Sequence, residues 1–280
     1  MQPLVFNAAV DRLIDLALEE DIGSGDITTN HLVAPEAQSQ GTIIAKEALV
    51  IAGLSVARRV FERLDPHIVI HSDVADGDLV PKGAVVLDLQ GRLAALLTAE
   101  RTALNFLQRL SGIATHVRTF MERIADAPVR LVDTRKTTPG WRVLEKYAVR
   151  VGGAANHRMG LYDGVLIKDN HIAACGGITA AVQRIRAQVS HLTKIEVEAS
   201  NLEEVREALT AGVEIIMLDN MDVAAIREAT AFINRRALVE ISGGVTAKDL
   251  PALATTGVDL ISSGALTHSA RAVDLSMRIG

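Results

Sequence analysis

Several cationic residues lie where short apolar runs give way to polar segments. Arg135 and Lys136 are adjacent in the segment LVDTRKTTPG, the segment AANHRMGLYDG supplies His157 and Arg158, and GVLIKDN supplies Lys168. Adjacent like charges repel, and a lysine close to a buried sheet loses hydration. Arginine pairs with a carboxylate or a phosphate through two parallel hydrogen bonds. These residues therefore predict a ligand that carries several negative charges.

Two carboxylates follow the next apolar runs along the chain. Glu198 lies in the segment IEVEAS, and Asp219 lies in the segment IIMLDN. Such a pair can bind Mg²⁺, contact ribose hydroxyls, or serve as acid and base, and a magnesium–diphosphate complex fits it well. The alternative interpretation is an internal salt-bridge network with Lys136 and Lys168.

Small residues follow the last two apolar runs, in the segments ISGGVTAKDL and ISSGALTH. Backbone N–H groups at such turns can bind a phosphate, aided by the dipole of a following helix, or the segments are ordinary strand–helix turns. The predicted phosphate-binding residues are Ser242, Gly243, Gly244, Ser263, Gly264 and Ala265.

A repeating pattern organises the chain after about residue 128. Short apolar runs return roughly every 20 to 30 residues, which is the length of a β-strand plus an α-helix. The intervening stretches carry helix signals, such as Asn201 as an N-cap and Gly212 at the helix end. The pattern predicts a parallel β/α barrel, complete or partial, whose strands all end on one face, where barrels place their active sites.

The first part of the chain has a different pattern. Residues 7–20 have helical spacing, residues 41–90 contain short β-runs, and residues 93–125 read as two helices with a break near Ser111 and Gly112. We therefore predict an N-terminal mixed α/β sandwich domain, residues 1–112, followed by a partial parallel β/α barrel, residues 113–267. A C-terminal helix, residues 268–280, is expected to pack back on the first domain.

Composition excludes several classes of protein. The net charge of −5 argues against binding to nucleic acid or to an anionic membrane, so an anion site must be a local cluster of cations. Cys175 is the only cysteine, which excludes an intrachain disulfide and a cysteine-based zinc site. The N-terminal segment lacks the apolar region of a signal peptide, and no apolar run is long enough to span a membrane. We expect a soluble, cytoplasmic protein.

These motifs resemble those of quinolinate phosphoribosyltransferases. The resemblance covers nearly the whole chain and is most specific in the block DTRKTTPGWRVLEKYAVRVGGAANHRMGLYDGVLIKDNH, with further matches in EDIGSGDITT and TAERTALNFLQRLSGIAT. It implies transfer of a phosphoribosyl group from phosphoribosyl pyrophosphate to quinolinate with loss of carbon dioxide. The products are nicotinate mononucleotide and pyrophosphate, on the route to NAD.

The resemblance also implies roles for individual residues. Catalysis is expected to involve Lys136, Glu198 and Asp219, and the two acids are expected to bind Mg²⁺ directly or through substrate and water. Arg101 is expected to reach into the site from the partner subunit of a homodimer. The expected quinolinate-binding residues are Arg101, Thr134, Arg135, His157, Arg158 and Lys168. The expected phosphoribosyl pyrophosphate-binding residues are Lys136, Lys168, Glu198, Asp219, Ser242, Gly243, Gly244, Ser263, Gly264 and Ala265.

Three other functions remain open from the sequence. The first is a phosphoribosyltransferase-like protein of the same fold with a different acceptor, such as nicotinate, or one associated with molybdenum transport. The second is a non-catalytic module that binds anions. The third is an aldolase in which Lys168 forms a Schiff base.

Overall fold

A computed structural model describes residues 4–280, which fall into two compact units. The first unit contains the chain up to Arg118, together with Thr137–Gly153 and Ser269–Gly280. The second unit contains Thr119–Lys136 and Ala154–His268. The two units are therefore interleaved along the sequence.

In chain order, the helices are α1 (Ala8–Ile22), α2 (Ile27–Leu32), α3 (Leu54–Leu64), α4 (Leu93–Met121), α5 (Arg142–Val151), α6 (Asp169–Cys175), α7 (Ile178–Arg186), α8 (Leu202–Thr210), α9 (Val223–Ile233), α10 (Leu250–Leu253) and α11 (Ala265–His268), with a 3₁₀ turn at Glu122–Ile124. The strands are β1 (Gln38–Ala45), β2 (Leu49–Val50), β3 (Val69–His71), β4 (Leu79–Val80), β5 (Val85–Arg92), β6 (Arg130–Val132), β7 (Val165–Ile167), β8 (Ile195–Ala199), β9 (Ile215–Asp219), β10 (Leu238–Ser242), β11 (Leu260–Ser262) and β12 (Leu275–Ile279).

The first unit is built on an antiparallel sheet in the order β12-β1-β5-β3, and β2 and β4 form a separate antiparallel pair. Helix α3 buries Val56, Ala57, Val60 and Phe61, which share one face because they recur at helical spacing. Mixed helices and antiparallel strands in this part of the chain agree with the predicted fold class.

The second unit is a six-stranded parallel sheet in the order β6-β11-β10-β9-β8-β7. The first strand of the series, β6, lies beside the last, β11, which is the cyclic order of a β/α barrel. The predicted partial barrel is confirmed. Because the strands are parallel, all their C-terminal ends lie at one edge of the sheet.

Local signals place the helices of the barrel where the sequence predicts them. The side chain of Asn201 accepts a hydrogen bond from the backbone N–H of Glu204 at the start of α8, and Gly212 beyond its end has φ 73°. An N-cap oxygen satisfies a backbone donor that the first helical turn leaves open. A left-handed glycine ends the helix without steric strain. The predicted boundaries of this helix are confirmed.

The predicted break near Ser111 and Gly112 is wrong, since α4 runs through both residues without interruption. The hydroxyl of Ser111 is buried and accepts a hydrogen bond from the backbone N–H of Ala52 at 3.0 Å. Gly112 permits close packing rather than a bend, because a Cβ there would overlap the carbonyl oxygen of Arg271. The predicted domain boundary at residue 112 therefore falls inside a helix.

The predicted C-terminal helix over residues 268–280 is also wrong. Helix α11 ends at His268, and residues 275–279 form β12, which pairs antiparallel with β1 from Gly41–Ile279 to Ala45–Leu275. Leu275 and Met277 face the interior and Ser276 is less buried, so the segment follows the period of a strand. Residues 275–279 form a strand because β1 offers an edge with which they can pair.

None of the helices within residues 4–280 combines the length and apolar character needed to cross a membrane.

We expect the substitution Gly112→Ala to lower the free energy of unfolding by about 1–3 kcal/mol, because the added methyl group overpacks a close contact with backbone. Helix propensity alone predicts the opposite sign, a gain of up to about 1 kcal/mol. Urea unfolding followed by circular dichroism measures the difference.

Gly164→Ala is the matched control. A Cβ at Gly164 would have its nearest neighbour at 3.8 Å, which is an ordinary contact. We expect this variant to stay within about 0.5 kcal/mol of the wild type. A stabilised Gly112→Ala protein would show that the close approach to Arg271 is not maintained in solution.

Candidate active site

The predicted polar residues after the barrel strands lie together at the C-terminal edge of the parallel sheet. Glu198, Asp219 and Ser242 are in the last residues of β8, β9 and β10, and Lys168 directly follows β7. The remaining members of this edge follow β6, β10 and β11 or precede β7, namely Thr134, Arg135, Lys136, His157, Arg158, Gly243, Gly244, Ser263, Gly264 and Ala265. The convergence expected of a barrel is observed.

Arg135 and Arg158 are close enough for their charges to act on each other. Burial lowers the pKa of the Arg158 guanidinium below its usual value, and the charge of Arg135 lowers it further. The charges of Glu196 and Glu198 oppose the shift. Nη1 of Arg158 also donates to the carbonyl oxygen of Gly164 at 3.0 Å. Two partly desolvated guanidinium groups form a site suited to a carboxylate or a phosphate.

Lys136 extends in a different direction, across the turn that follows β11. A Cβ on Gly264 would lie 2.7 Å from Cδ of Lys136, so a larger residue there would displace the lysine side chain. The hydroxyl of Thr267 donates to the carbonyl oxygen of Lys136 at 2.7 Å. The first and last strand ends of the barrel are thereby joined. The side chains of the adjacent residues Arg135 and Lys136 therefore lie in two different parts of the C-terminal edge, one near Arg158 and the other near Gly264.

The two predicted carboxylates have different partners. Glu198 forms an ion pair with Lys168, in which the carboxylate side chain is 13% exposed and the lysine 45%. Asp219 accepts a hydrogen bond from the side-chain amide of Asn220 at 2.8 Å. Glu198 is in register with Met217, so Asp219 lies two residues further along the same face. The salt bridge expected in the alternative interpretation exists for Glu198, and Asp219 has a neutral partner here.

The turn after β10 depends on Gly243. This residue has φ 105°, and a Cβ there would overlap the side chain and backbone of Asn220. The predicted helix after this turn is distant, since α10 begins only at Leu250, and α11 after the next turn has four residues. Any phosphate at these turns would rely on local backbone N–H groups, and helix dipoles would add little.

Ser263 supports its turn through both of its hydrogen-bond donors. Its hydroxyl donates to the carbonyl oxygen of Val245 at 2.7 Å, and its backbone N–H donates to Val132 at 3.0 Å. Ser263 is 2% exposed. It therefore ties the turns after β10 and β11 together and joins both to β6, while Gly264 and Ala265 lie nearer the edge.

Sequence reasoning missed Asp133, which is fully buried at the end of β6. Its carboxylate accepts from the side chain of Asn156 at 2.7 Å and from the backbone N–H of His157 at 2.9 Å. Because both carboxylate oxygens of Asp133 accept hydrogen bonds from the segment that contains Asn156 and His157, Asp133 fixes the position of that segment. The signal was present in the sequence as an acid directly after an apolar run and before the two cations.

Sequence reasoning also missed Glu196 and Glu240, which are 4% and 2% exposed inside the barrel. Nε2 of His157 lies 3.1 Å from Glu196 and 3.5 Å from Glu240. Burial raises the pKa of Glu240 to about 7, the charge of Glu196 acts in the same direction, and His157 opposes the shift. The signal here was an acid in the middle of the apolar runs KIEVEAS and ALVEISGG. His157 therefore faces acids, although it was predicted as one of the cations around the ligand.

Arg101 lies on α4 in the first unit and is exposed. Its expected role in a partner's site stays a prediction.

The chain belongs to the quinolinate phosphoribosyltransferase family. The sequence profile described as the N-terminal domain of quinolinate phosphoribosyl transferase matches residues 26–111, and the profile of its C-terminal domain matches residues 113–278. The two profiles together cover most of the chain, so the resemblance seen in the motifs is confirmed.

Similar proteins extend over nearly the same length. A probable nicotinate-nucleotide pyrophosphorylase [carboxylating] from Synechocystis is 50% identical over 273 residues, covering 96% of this chain and 92% of the relative. A protein of the same description from Bacillus subtilis is 44% identical over 268 residues, with the same coverage. The crystal structure of NadC from Streptococcus pyogenes has a TM-score of 0.96 and 41% identity, covering 100% of this chain and 99% of that one.

The raised pKa of Glu240 predicts a pH-dependent stability. The unfolded chain releases this proton near pH 4.5, and the folded protein retains it up to about pH 7. Stability from this group is therefore fully present at low pH and is lost as the pH rises through about 7. We expect urea unfolding from about pH 5 to about pH 8 to show a larger loss of stability in the wild type than in Glu240→Gln.

Glu203→Gln is the control, since Glu203 is exposed on α8. It should follow the wild-type pH profile. Identical profiles for Glu240→Gln and the wild type would show that Glu240 ionises normally in the folded protein.

Proposed function

We infer that this protein transfers the phosphoribosyl group of phosphoribosyl pyrophosphate to the nitrogen of quinolinate. Carbon dioxide is then lost, which gives nicotinate mononucleotide and pyrophosphate for NAD synthesis. One observation carries the inference beyond family membership: Arg135 lies with Arg158, whereas Lys136 lies over Gly264. Two anionic reactants need two cationic subsites side by side, and these neighbouring residues supply them.

The acceptor subsite is formed by Arg135, Arg158 and Lys168. Quinolinate carries two carboxylates, and guanidinium groups pair with carboxylates bidentately. Thr134 precedes these cations, and its hydroxyl accepts from the backbone N–H of Lys136 at 3.0 Å. The cations offset the repulsion between the two anionic reactants. Holding both reactants in the reactive geometry then contributes much of the catalysis.

The donor subsite is formed by Lys136 and the turns at residues 242–244 and 263–265. Lys136 faces the diphosphate, and the glycine-containing turns face the 5-phosphate. Glu198 or Asp219 stabilises the positive charge that develops on the ribose as the diphosphate leaves. After transfer, the pyridinium nitrogen stabilises the electron pair that stays on the 2-carbon as its bond to carbon dioxide breaks, and this carbon then takes up a proton from solvent.

Glu198 and Asp219 fit a magnesium ion by their chemistry. Both offer hard carboxylate oxygens at one edge, and Mg²⁺ prefers few carboxylates together with water and substrate phosphates. The ion would neutralise part of the diphosphate charge. Glu198 is already paired with Lys168, which favours contact through water or substrate.

We also propose a homodimer in which Arg101 serves the partner's acceptor subsite. An exposed arginine on a long helix is available to another chain. An isologous interface would place one such arginine at each of two sites. A cytoplasmic location is likewise part of the proposal, and the net charge of −5 is compatible with it.

Release of carbon dioxide from carboxyl-labelled quinolinate tests the reaction and distinguishes it from transfer to nicotinate or from passive anion binding. The aldolase alternative has less support, because Nζ of Lys168, the atom that would attack a carbonyl carbon, is held by the carboxylate of Glu198.

The two adjacent cations should affect different substrates. We expect Arg135→Ala to raise the KM for quinolinate about tenfold or more, since a hydrogen bond to a charged group is lost, and to change the KM for phosphoribosyl pyrophosphate less than about threefold. Lys136→Ala should show the reverse pattern. Equal effects of both substitutions on both substrates would contradict the division of roles.

Mixed dimers test the shared site. We expect Arg101→Ala and Lys136→Ala proteins, each nearly inactive, to recover up to about a quarter of wild-type activity after subunit exchange, since each hybrid holds one intact site. Native mass spectrometry verifies the exchange. Hybrids that form without recovering activity would refute donation across the interface.

A further inference from the structure

We propose that Asn220 is a positioning residue that holds two parts of the donor subsite together, the carboxylate of Asp219 and the turn at residues 242–244. Its side-chain amide contacts both parts, and its backbone lies in a region that few residues other than glycine adopt. The proposal deepens the proposed function and rests on it, because that function assigns Asp219 and this turn to phosphoribosyl pyrophosphate. Asn220 acts through these groups and need not touch the substrate.

The first contact of the Asn220 side chain is with Asp219. Nδ2 of Asn220 donates a hydrogen bond to Oδ2 of Asp219 at 2.8 Å. A flipped amide would bring its carbonyl oxygen against the carboxylate, so the charge of Asp219 selects the orientation of the amide. Hydrogen bonds to a carboxylate are stronger than those between neutral groups. Asn220 therefore holds one oxygen of Asp219 in place, and the other oxygen stays available to the ribose of the donor.

The second contact is with the turn that follows β10. The backbone N–H of Asn220 donates to the carbonyl oxygen of Ser242 at 3.1 Å. Oδ1 of Asn220 lies so close to Gly243 that a Cβ on this glycine would come within 2.2 Å of it. The amide of Asn220 therefore packs directly on the backbone of the turn that is proposed to face the 5-phosphate.

The backbone conformation of Asn220 permits both contacts. Asp219 is the last residue of β9 and is in register with Ser242. Asn220 then has φ 54°, in the left-handed region, which asparagine tolerates better than most residues with a side chain. Glycine can adopt the same backbone but has no amide. The contribution of the backbone can therefore be separated from that of the side chain by experiment.

The alternative interpretation is that Asn220 only ends a strand, as Asn234 ends a helix. Asn234 has φ 45° and follows α9, where its backbone N–H donates to the carbonyl oxygen of Thr230. It precedes β10 and so lies at the N-terminal edge of the parallel sheet, opposite the site. Asn234 is the matched control, because it has the same residue type and the same backbone region without a place in the donor subsite.

Steady-state kinetics test the role of the amide. Asn220→Gly keeps the backbone and removes the side chain, and Asn220→Asp keeps the shape but loses the N–H that bonds Asp219. We expect both to lower kcat/KM for phosphoribosyl pyrophosphate about tenfold or more, since a hydrogen bond to a charged group is lost, and to leave the KM for quinolinate within about threefold. Asn234→Gly should match the wild type. Wild-type kinetics for Asn220→Gly, or equal losses for both substrates, would overturn the proposal.

Urea unfolding tests the packing on the turn without reference to activity. Gly243→Ala should lower the unfolding midpoint, because the new methyl group overlaps Asn220 and because φ 105° is unfavourable for alanine. In an Asn220→Gly background the same substitution should lower the midpoint less, since the overlap with the amide is gone. Equal shifts in the two backgrounds would show that the amide does not pack on the turn, and would refute a link between the turn and Asp219.

The two levels of inference fail separately. If the wild type releases no carbon dioxide from quinolinate, the proposed function is lost, and calorimetric titration with phosphoribosyl pyrophosphate still decides the role of Asn220. Binding about tenfold weaker in Asn220→Gly than in the wild type and Asn234→Gly would support positioning, and the same binding in all three proteins would refute it. If Asn220→Gly does not fold, Asn220→Asp takes its place in the kinetic and calorimetric tests.

Discussion

Electrostatic repulsion among Arg135, Arg158, Lys136 and Lys168 is the constraint that the rest of the barrel accommodates. Four cations lie at one edge of a parallel sheet, and burial of Arg158 makes their mutual repulsion stronger than it would be in water. The acids are placed to reduce it: Glu198 pairs directly with Lys168, and Glu196 lies within electrostatic range of Arg158. The arrangement leaves enough positive charge for anionic reactants while remaining stable without them.

The backbone makes this arrangement possible through a few close contacts between strand ends. Gly264 leaves room for Lys136, Gly243 leaves room for Asn220, and Ser263 joins three strand ends by hydrogen bonds. Each contact connects residues that are far apart in sequence. The positions of the site residues are therefore fixed by contacts between the turns that follow the strands. The parallel strands set the distances between these turns.

The sequence predicts the parallel barrel and its functional edge because both depend on local patterns. Apolar runs of strand length followed by polar residues mark each strand end, and parallel pairing brings those ends together.

The sequence predicts local structure less well where contact with a residue far away in the chain determines the conformation. Gly112 reads as a break, but packing against Arg271 keeps its helix intact. Residues 275–279 read as helical, but β1 offers an edge. Glu196 and Glu240 read as parts of apolar strands, and the pairing of β8 and β10 with β9 brings both acids close to His157.

The pairing of β12 with β1 has a consequence for the order in which the protein is made. A ribosome releases residues 38–45 long before residues 275–279, so β1 must wait with one side unpaired while the entire barrel is synthesised. An exposed strand edge of this kind invites pairing with other chains. The nascent protein should therefore be most prone to association late in translation, when most of the barrel strands have left the ribosome and the last strand of the first unit has not.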